Sequence, residues 1–172
     1  MKTDLTGKVA LVNGASRGIG EAIAHGLAAC GAKVVCTSRK IESVQAVADA
    51  IEAAGGDALA QTCNAGDLEQ IAALMEFIKS ECGRLDILIN NAAANPYYGP
   101  AKDLPPDAFD KTVDVNLKGP YYFMSHAVPL MAESGGGAIV NVASIAALLS
   151  MPGQAVYSMT KSGLISITLS LI

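Results

Sequence analysis

Tyr157 and Lys161 stand four residues apart in "AVYSMTK" (155–161), near the end of a 172-residue chain. On a helix, residues i and i+4 share a face, so a phenol and an ammonium at this spacing point the same way. A free phenol is too weak an acid to act well at neutral pH, and a neighbouring cation favours its ionised form. The pair is a candidate for proton transfer to or from an oxygen. Ser144, thirteen residues earlier, offers a hydroxyl that could hold that oxygen. Asn116, in "DVNLKG", is a poor helix-interior residue and so a candidate for a specific bonding role.

A second group lies near the start. In "NGASRGIG" (13–20) the glycines fall at Gly14, Gly18 and Gly20, a G-x-x-x-G-x-G spacing between a strand and a helix. Glycines let the backbone approach a phosphate, and the free N–H groups of a helix start favour negative charge. The next strand ends in "CTSRK", with Ser38, Arg39 and Lys40 where an acid would hold a ribose 2′-hydroxyl. Arg17 adds a cation inside the turn. Guanidinium groups fork onto phosphate, which favours NADP(H) over NAD(H). No G-K-[ST] follows the turn, so a mononucleotide loop is not indicated and would leave Tyr157 and Lys161 unexplained.

The elements that must position these residues alternate. Apolar, β-branched runs at 8–14, 32–38, 57–63, 85–92 and 137–144 read as strands. Helical spacing marks 19–31, 41–56 and 67–83, each with a Gly stop, and Asp67 reads as an N-cap. A long helix is expected over 107–131 with a bend at Pro120, and a last helix from about Gln154 to the end. This order predicts a single α/β domain over 1–172, a Rossmann-type doubly wound parallel sheet.

Composition narrows the function classes. Hydrophobic residues make up 51% and charged residues 16%, with a net charge of -4 that gives no basic footprint for nucleic acid or an anionic membrane. The start carries no secretory segment, and the uncharged run 134–160 is broken by glycines, Asn141, Pro152 and Gln154, so no membrane span is expected. Cys30, Cys36, Cys63 and Cys82 form no CxxC pair, which points to free thiols in a cytoplasmic protein and to no metal site. His25 and His126 are given no role.

Together, the Gly-rich turn, "NNAA" (90–93), Asn116, Ser144 and "YSMTK" resemble the short-chain dehydrogenase/reductase family in order and spacing over the whole chain. The resemblance implies hydride transfer between a nicotinamide and a carbonyl or secondary alcohol, with Asn116, Ser144, Tyr157 and Lys161 catalytic. Tyr157 would be the general acid or base, Ser144 would hold the substrate oxygen, and Asn116 would place a water linking Lys161 to solvent. It implies cofactor contacts from Gly14, Ser16, Arg17, Gly18, Ile19, Gly20, Ser38, Arg39, Lys40, Asn64, Asn91, Ala92, Tyr157 and Lys161. It also implies a homodimer or homotetramer through the 107–131 and 154–172 helices.

Departures are few. Asn13 replaces the usual Thr before the turn, Ala93 the usual Gly of N-N-A-G, and Asn64 the usual adenine-side Asp. The family commonly continues past this length to a sixth and seventh strand and a substrate lid, so five of seven strands are expected. The fifth strand would then be an open edge, and the 172-residue chain weakly active or inactive on its own. The alternative reading is a catalytically impaired Rossmann module that binds cofactor or dimerises. Tyr97 and Tyr98 are expected to border the substrate pocket.

Overall fold

The computed structural model describes residues 3–170; the first two residues and the end of the last expected helix, Leu171 and Ile172, lie outside the described residues. Five strands form one parallel sheet in the order β3-β2-β1-β4-β5: β1 Val9–Asn13, β2 Lys33–Ser38, β3 Asp57–Thr62, β4 Ile87–Asn90 and β5 Ala138–Asn141. The fold expected from the alternation is therefore the fold observed.

Alternate residues of each strand face opposite ways, and each face builds its own core. Ala10 and Val12 of β1 pack with Val34 and Cys36 under α1 (Gly18–Ala29) and α2 (Ile41–Ala53). Val9 and Leu11 face the other way, against α3 (Leu68–Cys82) and α5 (Gly119–Glu133), where Phe123 is fully buried. Asp67 caps α3 by accepting from the Glu69 and Gln70 N–H groups, as its sequence position suggested. Both Cys36 and Cys63 are buried thiols, and burial pushes them up to about 11 and about 12.

The long helix expected over 107–131 is present without a break from Pro106 to Glu133, as α4 (Pro106–Val113), a π-helical stretch at Asp114–Lys118 that the sequence did not announce, and α5. Pro120 sits where the π stretch passes into α5, and its missing N–H removes one rung of the helical ladder there, while Pro129 lies further inside α5. Asn116 lies in the π stretch, fully buried. Such wide turns frequently mark functional positions in helices. The strands are also shorter than expected, and the last helix, α6, is described over Ala155–Ser170.

Candidate active site

The β1–α1 turn carries the glycine group. Gly14 has φ +70 and Gly18 φ +62, a region costly for side chains with a Cβ. A Cβ on Gly14 would lie 2.8 Å from the Ala92 Cα, and one on Gly20 would collide with the Gly14 carbonyl oxygen and the Asn91 Nδ2. A Cβ on Gly18 would meet open space. Gly14 and Gly20 are thus fixed by close packing against the end of β4, while Gly18 keeps the outer surface of the turn clear for a ligand. Arg17 and Gly18 are exposed, and Ile19, in the first turn of α1, is 64% exposed: an apolar side chain beside a polar turn. Ser16 is half-buried.

The end of β4 locks this turn in place. Asn91 Nδ2 donates to the Gly14 carbonyl at 2.9 Å, while the Asn91 and Ala92 N–H groups donate to Asn13 Oδ1 at 2.9 and 2.7 Å. On the other side of β1, Ser38, Arg39 and Lys40 follow β2. The Ser38 hydroxyl bonds only locally, donating to the Lys40 carbonyl at 3.0 Å, and both cations are exposed. Asn64, after the edge strand β3, accepts from the Gly66 N–H at 3.2 Å. These residues and the glycine turn all lie at the carboxyl ends of adjacent strands, where open α/β sheets bind ligands.

At the opposite side of the same sheet end, α6 carries Tyr157 and Lys161. Lys161 is 2% exposed, and its Nζ donates to the Val142 carbonyl at 2.7 Å and lies 6.0 Å from the Tyr157 ring centroid. None of the ion pairs among the described residues includes it. Burial lowers its pKa below the ordinary lysine value. Ser144 caps a 3-10 turn at Ile145–Ala147, its Oγ accepting from the Ala146 N–H at 3.2 Å, which leaves the hydroxyl proton available. Ser162 of α6 donates to the Ala147 carbonyl at 2.7 Å, tying that turn to the helix.

Asn116 joins the pieces. Its Oδ1 accepts from the Ala94 N–H at 2.7 Å, and its Nδ2 donates to the Ala94 carbonyl at 2.8 Å and to Thr160 Oγ1 at 3.2 Å. Both amide protons are therefore engaged within the protein, so a water beside Lys161 would be held by the oxygens of Asn116 and not by its NH2. What the side chain does is fix the residue next to Lys161 against the chain leaving β4. Beyond that point the 95–104 loop is held near α6: the Gly99 N–H donates to the Gly153 carbonyl at 3.0 Å, and Tyr98 lies over Gly153. A cavity beside Tyr157 is lined by Asn95, Tyr97, Thr112, Gln154 and Val156. Tyr97 donates to the Pro100 carbonyl, whereas Tyr98 is 70% exposed.

Sequence reasoning treated Asn13 as a minor departure and gave Asn90, Asn141 and Thr168 no role. In the structure Asn13 Nδ2 donates to Asn90 Oδ1 at 2.7 Å, and Asn141 Nδ2 donates to Thr168 Oγ1 at 2.9 Å. Identical residue types at successive strand ends were the one signal available.

Comparison with known proteins agrees with this geometry. The family model described as short chain dehydrogenase matches residues 8–172. The Homo sapiens protein named Dehydrogenase/reductase SDR family member 4 is 38% identical over 97% of this chain, and the chain spans 60% of that relative's length. A metagenomic short-chain oxidoreductase solved in complex with NADP is 39% identical, with a TM-score of 0.94 over 97% of this chain and 76% of its own. An NAD+-bound xylitol dehydrogenase is 28% identical, with a TM-score of 0.93 over 97% of this chain and 64% of its own.

Proposed function

This chain belongs to the short-chain dehydrogenase family, and from that premise we propose that it is an NADP-dependent oxidoreductase of carbonyl or secondary-alcohol substrates. The observation that carries the reading is Lys161: a buried ammonium with one protein acceptor, beside Tyr157, at the sheet end that holds the glycine turn.

The open surface at Gly18 and the engaged side chains around it fit a dinucleotide. Gly14, Ser16, Arg17, Gly18, Ile19 and Gly20 would hold its phosphates, with Ile19 offering an apolar surface beside them, Asn64 its adenine, and Asn91 and Ala92 the near wall. Tyr157 and Lys161 would hold its nicotinamide ribose. When bound, NADP(H) supplies or accepts the hydride. Preference for the 2′-phosphate rests on Arg39 and Lys40, exposed at the end of β2 with no carboxylate among them. The two similar structures hold different cofactors, one NADP and one NAD+, so they do not choose between them.

The chain's own residues then divide the proton work. Ser144 donates to the substrate oxygen and holds it at Tyr157. In reduction, the Tyr157 hydroxyl gives its proton to that oxygen; in oxidation, the phenolate takes it back. The Lys161 ammonium favours the phenolate by its charge. Asn116 keeps α6 at the correct depth through Thr160. Homodimers would form through the 107–131 and 154–172 helices, where Tyr121, Val128 and Met159 are exposed.

A second reading has one observation in its favour. Ile145, Leu148 and Leu149, beside Ser144, are 64%, 71% and 67% exposed, and Val140 of the outermost strand β5 is 49% exposed. Where such an apolar wall stays uncovered beside the reaction centre it would admit water, and the chain would then bind cofactor but turn over poorly. Titration with NADPH followed by a ketone panel separates the two. Tyr157-dependent oxidation of NADPH supports the enzyme; tight binding without any turnover supports the module.

A further inference from the structure

Three asparagines occupy one level of the sheet. Asn13 of β1, Asn90 of β4 and Asn141 of β5 are register partners at the carboxyl ends of adjacent strands. Asn13 and Asn90 are 3% and 2% exposed. Asn13 Nδ2 donates to Asn90 Oδ1 at 2.7 Å, Asn90 Nδ2 to Asn141 Oδ1 at 2.8 Å, and Asn141 Nδ2 to Thr168 Oγ1 at 2.9 Å. The Thr168 hydroxyl finishes on the Leu164 carbonyl of α6 at 2.6 Å. Every bond runs in the same direction.

That direction has a cause at one end. The Asn91 and Ala92 N–H groups both aim at Asn13, so an oxygen must face them. Asn13 then presents its NH2 to Asn90, which must answer with oxygen, and the choice repeats across the sheet. Turning any one amide over would bring two donors or two acceptors face to face. Bonds aligned in series also polarise one another where the row is buried, at Asn13 and Asn90, and less toward its exposed end at Thr168.

We propose that this row is a positioning device that sets the glycine turn and the Tyr157–Lys161 helix in register with each other, with Asn141 and Thr168 as its positioning residues. It starts on the loop that pins Gly14 and ends on α6 two turns beyond Lys161; among the described residues α6 is also tied to the chain leaving β5 by Lys161 on Val142 and Ser162 on Ala147, both nearer its start. The inference rests on the redox reading above for its functional consequence, though the row itself does not depend on cofactor.

Thr168 is exposed, so Thr168→Val removes the terminal acceptor without disturbing the core, and Thr168→Ser keeps it. Side-chain NH2 proton exchange of Asn13, Asn90 and Asn141 is measured by NMR on the 172-residue chain without cofactor. Thr168→Val is expected to speed exchange at Asn141 and Asn90 by about tenfold, with a smaller rise at Asn13, as for members of one coupled network. Thr168→Ser should restore all three. With a ketone, kcat should fall severalfold in Thr168→Val at nearly unchanged KM for NADPH. Faster exchange confined to Asn141, or no recovery in Thr168→Ser, would overturn the proposal. Absence of turnover in the unmodified chain would count against the redox reading alone, since the exchange pattern still decides whether the row transmits.

Discussion

The Lys161 ammonium nitrogen lies 6.0 Å from the Tyr157 ring centroid, in a site where Lys161 is 2% exposed and bonds only to a carbonyl. A lysine in that setting is held for its charge at some cost in stability, because burial disfavours the ammonium and lowers its pKa.

The unfolded chain therefore binds this proton more tightly than the native state. Stability should rise as pH climbs from the lowered native value toward 10.5, the ordinary lysine value, and Lys161 should contribute no slope below that window. Cofactor affinity should fall over the same rise as the ammonium is lost. Lys161→Met removes the buried charge but strands the Val142 carbonyl, two effects of opposite sign, the second costing about 1 kcal/mol. Its thermal midpoint is expected to stay within a few degrees of the unmodified chain while turnover disappears. Calorimetry across alkaline pH and an NADPH oxidation assay check both halves.

The glycines of the turn should separate into packing and binding positions. Gly14→Ala combines a positive φ with a Cβ 2.8 Å from Ala92 and should cost about 3 kcal/mol. Gly18→Ala has open space and only its φ of +62 to contend with, so about 1 kcal/mol is expected. Its fold should survive while NADPH affinity drops at least as much as in Gly14→Ala. Urea unfolding beside a fluorescence titration tells the two apart.

At the other end of the sheet, Asp86 is buried at the entry to β4. It accepts from Arg84 at 2.6 and 2.8 Å, from Lys8 at 3.1 Å and from the Val9 N–H at 2.9 Å. Burial pushes the carboxyl up, but the Arg84, Val9 and Lys8 hydrogen bonds with the Arg84 charge outweigh it and hold the group at about 2. The native state thus binds this proton less tightly than the unfolded chain. Its stabilisation is present above the ordinary value of 3.8 and is lost as pH falls toward about 2. Solvent at the partly exposed Lys8 and Arg84 reduces the contribution to about 1 kcal/mol. Asp86→Asn should lower stability at neutral pH by that amount and flatten the acid limb of the stability curve.

Cofactor choice should reside in two exposed cations. Arg39→Ala with Lys40→Ala is expected to weaken NADPH binding by about a hundredfold, each cation contributing a charge-assisted bond of about 1.5 kcal/mol. NADH affinity should be unchanged within a factor of about two, well below the tenfold that 1.4 kcal/mol would represent. Equal losses for both cofactors would place Arg39 and Lys40 outside the ribose site.

Much of this was legible in the sequence because it is local. Apolar β-branched runs mark the strands, a closing glycine marks the first three helices, Asp67 marks a helix start, and the Tyr157–Lys161 spacing marks a shared face. What was not legible is set across the fold. The π stretch at Asp114–Lys118 accommodates bonds from Asn116 to Ala94 and Thr160, 22 and 44 residues away, which helix propensity does not record. The Asn13–Asn90 pair spans 77 residues and depends on strand register, which only the parallel pairing of β1 with β4 supplies.

The most direct measurement is NADPH binding and oxidation by the 172-residue chain and its Tyr157→Phe variant, with a panel of ketones. Both proteins should bind NADPH, the variant more weakly by the lost Tyr157 hydroxyl contact to the nicotinamide ribose, and only the chain that keeps the phenol should oxidise it. Failure of both to bind a nicotinamide cofactor, or equal oxidation by the two, would contradict the assignment of Tyr157 and Lys161 as the proton-transfer pair of an oxidoreductase.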